Sequence, residues 1–65
     1  MKLYKVRVEA TYGADVKVGD RVTKGQKLGT ASDFKTPVAS PVDGVVKEIS
    51  FDADNHTFVI NIEKS

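Results

Sequence analysis

The stretch VGDRVTKGQKL, residues 18–28, combines alternating apolar positions with two glycine-containing turns. Gly19 and Gly25 have the backbone freedom that tight turns require, because glycine carries no Cβ. Asp20 follows the first glycine and can accept hydrogen bonds from the turn backbone. Val22 lies between the two turns, where we expect its side chain to point into the protein. The stretch therefore predicts short strands joined by tight turns.

A second stretch, PVDGVVKEI at residues 41–49, places a turn signal before a valine-rich run. Gly44 is expected to let the chain bend sharply between two extended runs, at a position where a Cβ would obstruct. The run after Gly44 predicts another strand, although its apolar residues do not define a clean face.

The rest of the chain alternates between apolar and polar residues. In residues 4–10 and 57–62 the alternation is typical of strands that are buried on one face, and residues 16–18 resume it briefly. No window keeps the apolar spacing of an amphipathic helix. Roughly seven or eight short strands with frequent turn signals indicate a sandwich or small barrel. We therefore predict a single all-β domain over residues 1–65.

The residues expected to form the core are the inward-facing apolar positions of these strands. They are Val6, Val8, Val16, Val18, Val22, Leu28, Val38, Val45, Ile49, Phe58, Ile60 and Ile62.

Composition argues against several classes of function. Ten basic and nine acidic residues are interspersed, whereas nucleic-acid binding favours a clustered basic face. With no cysteine and His56 as the sole histidine, the chain cannot build a zinc site from nitrogen and sulfur ligands. We expect His56 to be an exposed turn residue, and the sequence offers no catalytic residue. No apolar run is long enough for membrane insertion, and residues 1–5 lack the apolar stretch of a signal peptide, so we expect a cytoplasmic location.

Together, the two stretches resemble the biotinyl/lipoyl superfamily, whose phrases are G-D-x-V-x-x-G-Q-x-L and (S/A)-P-V-x-G-x-V-x-x-I. The resemblance implies a barrel-sandwich hybrid, a flattened β-barrel of short antiparallel strands. Carrier members hold a lipoyl or biotinyl lysine at the tip of the hairpin between the phrases.

The acceptor position falls on Lys35 when counted forward from Gln26, but the spacing is two residues too short when counted back from Pro41. Phe34 and Thr36 also replace the neighbours that carriers place beside the lysine. We therefore expect Lys35 to be a solvated loop lysine and the domain to hold no cofactor. The alternative is a carrier domain with lipoate or biotin on Lys35.

Residues 28–44, together with the run that follows them to Ile49, are more similar to the non-carrier domain in the C subunit of Rnf-type electron-transport complexes, with the phrase I-G-x-A-x-x-F-x-x-P-V-H-A-P-V-S-G-x-V-x-x-I. The matching positions are Ala31, Phe34, Pro37, Val38, Pro41, Val42, Gly44, Val45 or Val46, and Ile49. This resemblance implies a non-catalytic scaffold or docking module within a larger redox or transport assembly. Tyr4, Tyr12 and Phe34 are the docking candidates, because aromatic side chains that cluster on a surface favour protein contacts.

Overall fold

The computed structural model describes residues 2–65, which form six strands. The strands are β1 (Leu3–Glu9), β2 (Arg21–Val22), β3 (Lys27–Thr30), β4 (Pro37–Ala39), β5 (Gly44–Asp52) and β6 (Thr57–Lys64). None of these residues lies in a helix, so the all-β prediction is confirmed. The predicted number of strands was too high, chiefly because residues 16–18 form no strand.

The strands are arranged as one large antiparallel sheet and one small hairpin. The large sheet has the order β1-β6-β5-β2, and β3 pairs with β4. Cross-strand partners place Val8 beside Phe58, and Ile60 beside Ile49. Because directly opposite residues share a face, these apolar side chains line one side of the large sheet. The hairpin packs against that side and completes a flattened barrel.

The core lies between the sheet and the hairpin. Its buried members are Val8, Val16, Val22, Leu28, Val46, Ile60 and Ile62. Partly buried apolar residues pack around it, namely Val6, Ala14, Val38, Val42, Ile49 and Phe58. Leu28, on the hairpin, is fully buried and joins the two layers.

Val18 was predicted to be buried, and this prediction was wrong because the residue is 59% exposed. The Asp20 carboxylate accepts a hydrogen bond from the Lys17 amide (3.0 Å), and the Asp20 amide donates to the Lys17 carbonyl (3.0 Å). These bonds close a turn over the positions that the alternation had suggested as a strand. A short aspartate side chain can compete with strand pairing in this way. Val18 therefore lies on the turn and faces solvent.

The prediction for Val45 was also wrong, since its neighbour Val46 is the buried core residue and Val45 is half-buried. The register between β5 and β6 shifts between Val46 and Glu48. A bulge inserts one extra residue and so changes which residues face inward on either side of it. This shift explains why the apolar residues of β5 show no single period.

The three glycines singled out in the sequence meet different constraints. Gly19 and Gly25 adopt φ angles of +95° and +90°, in the left-handed region that glycine tolerates. At Gly25 this conformation lets its amide donate to the Ser40 carbonyl (2.8 Å). Gly44 is instead the first residue of β5, where a Cβ would overlap the Glu63 carbonyl oxygen. Gly44 therefore permits the close approach of β5 to β6.

Candidate docking site at the hairpin tip

The tip between β3 and β4, residues 31–36, is closed by backbone hydrogen bonds. The Ala31 amide donates to the Thr36 carbonyl (2.8 Å), and the Phe34 amide donates to the Ala31 carbonyl (3.0 Å). The tip therefore continues the hairpin as an ordered turn.

Asp33 organises the tip from within. Its carboxylate accepts hydrogen bonds from the backbone amides of Lys35 (2.9 Å) and Thr36 (2.8 Å) and from the Thr36 hydroxyl (2.5 Å). The Thr36 hydroxyl, followed by the two amides, lowers the pKa of Asp33 to about 2. Asp33 is consequently an anion at neutral pH, and its charge strengthens all three hydrogen bonds.

Phe34 adopts a φ of +63°, which is uncommon for a residue with a bulky side chain. Such a conformation persists only where the surrounding structure holds it. Here the Asp33 carboxylate binds the amides of Lys35 and Thr36, the two residues after Phe34. The turn presents the Phe34 ring to solvent, with 51% of the residue exposed.

The Phe34 ring packs edge to face against Tyr12, with ring centroids 5.7 Å apart and an interplanar angle of 73°. Tyr12 is itself 60% exposed and lies on the loop that follows β1. We call Tyr12 and Phe34 the tip patch. Two of the three docking candidates therefore lie together on the surface. Tyr4 lies apart from them, half-buried on β1 opposite Ile62.

Lys35 is exposed beside Phe34. Its backbone amide is held by Asp33, and its ammonium group forms no salt bridge within residues 2–65. The tip thus fixes the main chain of Lys35 and leaves its side chain in solvent.

A second polar cluster, which the sequence pattern did not reveal, joins the end of β1 to the β5–β6 turn. The Glu9 carboxylate is buried and lies 2.7 Å from His56 Nδ1. It also accepts hydrogen bonds from the Thr11 amide (3.2 Å) and hydroxyl (2.9 Å). The bond to His56 is the largest of the causes that lower the pKa of Glu9. The imidazole is exposed, as predicted, but Nδ1 is engaged in tying the turn to β1.

Phe51 provides a second exposed aromatic surface on β5. It is 55% exposed, and its ring centroid lies 5.6 Å from that of Phe58 and 6.0 Å from that of His56. Its exposure is close to that of Phe34, but it lies on a strand rather than on the ordered tip. Phe51 is therefore a matched comparison for the tip patch.

We expect replacement of Asp33 by asparagine to lower the stability of the domain at pH 7 and to have little effect near pH 2. An unfolded aspartate has a pKa of about 3.9, and the folded pKa is about 2. The depressed pKa stabilises the fold fully above the unfolded value, and this stabilisation disappears as the pH falls through the folded value. Urea unfolding from pH 7 to pH 2 measures the difference between the two proteins.

Asp54→Asn is the control for this prediction, because the Asp54 carboxylate accepts no hydrogen bond within residues 2–65. A difference between Asp33→Asn and the wild type that stayed constant across this pH range would show that Asp33 does not act through its charge.

Among residues 2–65, no helix has the length and apolarity needed to cross a bilayer. No group of three or more metal-ligating side chains gathers within the same residues.

The curled antiparallel sheet, the opposing hairpin and its ordered tip define a barrel-sandwich hybrid domain. The model of the RnfC barrel sandwich hybrid domain matches residues 6–63, and the chain belongs to this family. Part of the chain is also similar to the C subunit of the ion-translocating oxidoreductase complex of Buchnera aphidicola subsp. Acyrthosiphon pisum (strain APS). The two are 38% identical over 40 residues, which are 62% of this chain and 8% of that larger protein. No solved structure gives a significant match.

Proposed function

We propose that the domain is a non-catalytic docking module of a larger ion-translocating redox assembly and that it contacts the assembly through the tip patch. Membership of the RnfC family supports the kind of assembly, since the similar bacterial protein is named as a subunit of such a complex. The chain spans a small fraction of that bacterial protein, 8% of its length. The cytoplasmic location expected from the sequence remains a prediction.

The tip patch is the observation that carries this proposal. Tyr12 and Phe34 together expose a large aromatic surface, and buried aromatic side chains supply much of the binding energy at protein interfaces. The turn that holds Phe34 is already ordered by Asp33. Because a preformed turn loses little conformational freedom on binding, more of the contact energy is retained as affinity.

The hydrogen bonds of the only histidine support a non-catalytic role. A histidine that acts as a general base needs a nucleophile within hydrogen-bonding reach of its free ring nitrogen. Within residues 2–65 the His56 ring bonds to Glu9 through Nδ1, and no serine or threonine hydroxyl bonds to the ring. Glu9 is in turn bound to Thr11. This cluster connects the β5–β6 turn to the end of β1, which is a structural task.

Isolation of the tagged chain from its native cell tests the proposal. The wild-type chain is expected to recover the subunits of an ion-translocating electron-transport complex, identified by mass spectrometry. Phe34→Ala is expected to reduce that recovery by about thirtyfold, the equivalent of about 2 kcal/mol for an interface hot spot.

Phe51→Ala is the matched control and should recover the complex as the wild type does. Circular dichroism of both variants establishes that the fold is intact. Equal recovery by Phe34→Ala and Phe51→Ala would contradict the role of the tip patch, and recovery of the chain alone would contradict docking altogether.

A carrier role on Lys35 is the second candidate, favoured by the exposed position of this lysine at the tip. We expect no modification, because Phe34 and Thr36 replace the neighbours that carriers place beside their lysine. Co-expression with lipoate and biotin ligases, followed by intact-mass measurement, decides between the two functions. An increase in mass that disappears in Lys35→Arg would establish a carrier.

A further inference from the structure

The outer edge of β1 forms no strand pair within residues 2–65. β1 is the first strand of the large sheet and pairs only with β6. The Lys64 amide donates to the Lys2 carbonyl, and the Ala10 amide donates to the His56 carbonyl. In an antiparallel ladder, alternate residues bond to the partner strand, so the even-numbered residues of β1 face β6. The amides and carbonyls of Leu3, Lys5 and Arg7 consequently point away from the sheet.

This open edge is long, regular and exposed. β1 has 7 residues, and its register with β6 continues without a shift from Leu3 to Glu9. Leu3 is 56% exposed, the Arg7 side chain is 55% exposed, and Lys5 also faces solvent. Such an edge can accept another extended chain by backbone hydrogen bonding.

The opposite edge of the large sheet has fewer unpaired backbone groups. There the outward amide and carbonyl of Val46 are already bonded to Asp20 and Gly19 (2.9 and 2.8 Å). By the same alternation, Ile49 and Phe51 are the residues of β5 whose backbone groups face outward. The edge of β1 therefore presents the longer continuous row of unpaired groups.

The side chains along β1 define the chemistry of an added strand. Lys5 and Arg7 lie on the outer face of the sheet, and Lys5 forms no salt bridge within residues 2–65. Arg7 is bonded to Asp52 through one guanidinium nitrogen (2.8 Å). On the inner face, Tyr4 and Val6 are half-buried at the margin of the core. A strand beside β1 would therefore alternate acidic residues on the outer face with apolar residues on the inner face.

A second copy of β1 fits this edge poorly. When two identical strands pair antiparallel at their edges, opposing residues lie on the same face. The registers that overlap most of β1 place Lys5 opposite Lys5, Lys5 opposite Arg7, or Arg7 opposite Arg7. The last of these also places Lys5 opposite Glu9, but the Glu9 carboxylate is buried and already bonded to His56 and Thr11. Like charges directly opposite one another destabilise a sheet. The charges thus favour a different chain, one that carries acidic side chains at these positions.

We propose that the open edge of β1 binds an extended acidic segment of a partner protein by strand addition, with apolar residues at alternate positions. This inference rests on the proposed docking function and adds a second contact surface to it. The tip patch and the open edge have separate residues, so failure of one leaves the other testable.

Amide hydrogen exchange of the 65-residue chain, measured by NMR, tests the inference with a defined probe. The probe is a synthetic peptide of alternating valine and glutamate, and the comparison peptide alternates valine and lysine. At a concentration of about ten times its Kd, the acidic peptide should slow exchange at Leu3, Lys5 and Arg7 about tenfold. The valine–lysine peptide should leave these amides unchanged.

Charge reversal provides the matched variants. Lys5→Glu is expected to weaken binding of the acidic peptide about fivefold, the equivalent of about 1 kcal/mol for an exposed charge pair. Lys17→Glu carries the same change in net charge on the turn that bonds to β5, which does not pair with β1, and should bind as the wild type does.

Three results would overturn the inference. The first is that the acidic peptide does not slow amide exchange at Leu3, Lys5 and Arg7. The second is that it slows exchange only at Ile49 and Phe51, and the third is that the two peptides bind equally well. Loss of recovery of the complex by Phe34→Ala would still support the tip patch in each of these cases, so the two surfaces are judged separately.

Discussion

Replacement of Gly44 by alanine is expected to cost the domain about 3 kcal/mol or more, a large share of its stability. A Cβ at this position would overlap the Glu63 carbonyl oxygen, which is backbone and cannot rotate away. Overpacking of a buried site costs about 1–3 kcal/mol and occasionally more. A domain of this length is expected to have only about 3–10 kcal/mol in total. Urea unfolding followed by circular dichroism measures the loss.

Gly25→Ala is the control, because Gly25 has a positive φ of +90° but nothing within 4 Å of an added Cβ. This variant should lose only the cost of a left-handed alanine, about 1–2 kcal/mol. If the two variants lost the same stability, the close approach of β5 and β6 at Gly44 would not be the determining contact.

Leu28→Ala is expected to lower the free energy of unfolding by about 2–5 kcal/mol, because it leaves a cavity in the core. Leu28 is fully buried on the hairpin and contributes to the core between the two layers. Leu3→Ala removes the same side chain from a position that is 56% exposed, and it should change stability by less than about 0.5 kcal/mol. If the urea midpoints of both variants shifted equally, burial of the Leu28 side chain between the hairpin and the sheet would not stabilise the domain.

The turns and much of the core could be predicted from the sequence because both depend on local patterns. Gly25 requires a left-handed conformation, and Leu28 follows it at the spacing of a strand that faces inward. The interior of β5 could not be predicted in the same way. Its bulge after Val46 arises from pairing with β6, and no local residue type signals it. The predicted burial of Val18 was wrong for a different reason, because the Asp20 side chain closes a turn that contains this residue.

The candidate site was only partly predictable. Tyr12 and Phe34 could be identified as aromatic residues without an obvious place in the core, but their contact depends on how the hairpin packs beside the loop after β1. The left-handed conformation of Phe34 has no sequence signal, because it follows from the hydrogen bonds of Asp33. The pairing of Glu9 with His56 joins residues 47 positions apart and likewise emerges only from the fold.

Site-specific photo-crosslinking tests the central claim most directly. A benzophenone side chain in place of Phe34, irradiated in the native cell, should crosslink the domain to a subunit of an ion-translocating electron-transport complex. The same group in place of Phe51 should give no such product. Crosslinking from position 51 alone, or no product from position 34 in cells that assemble the complex, would contradict docking through the tip patch.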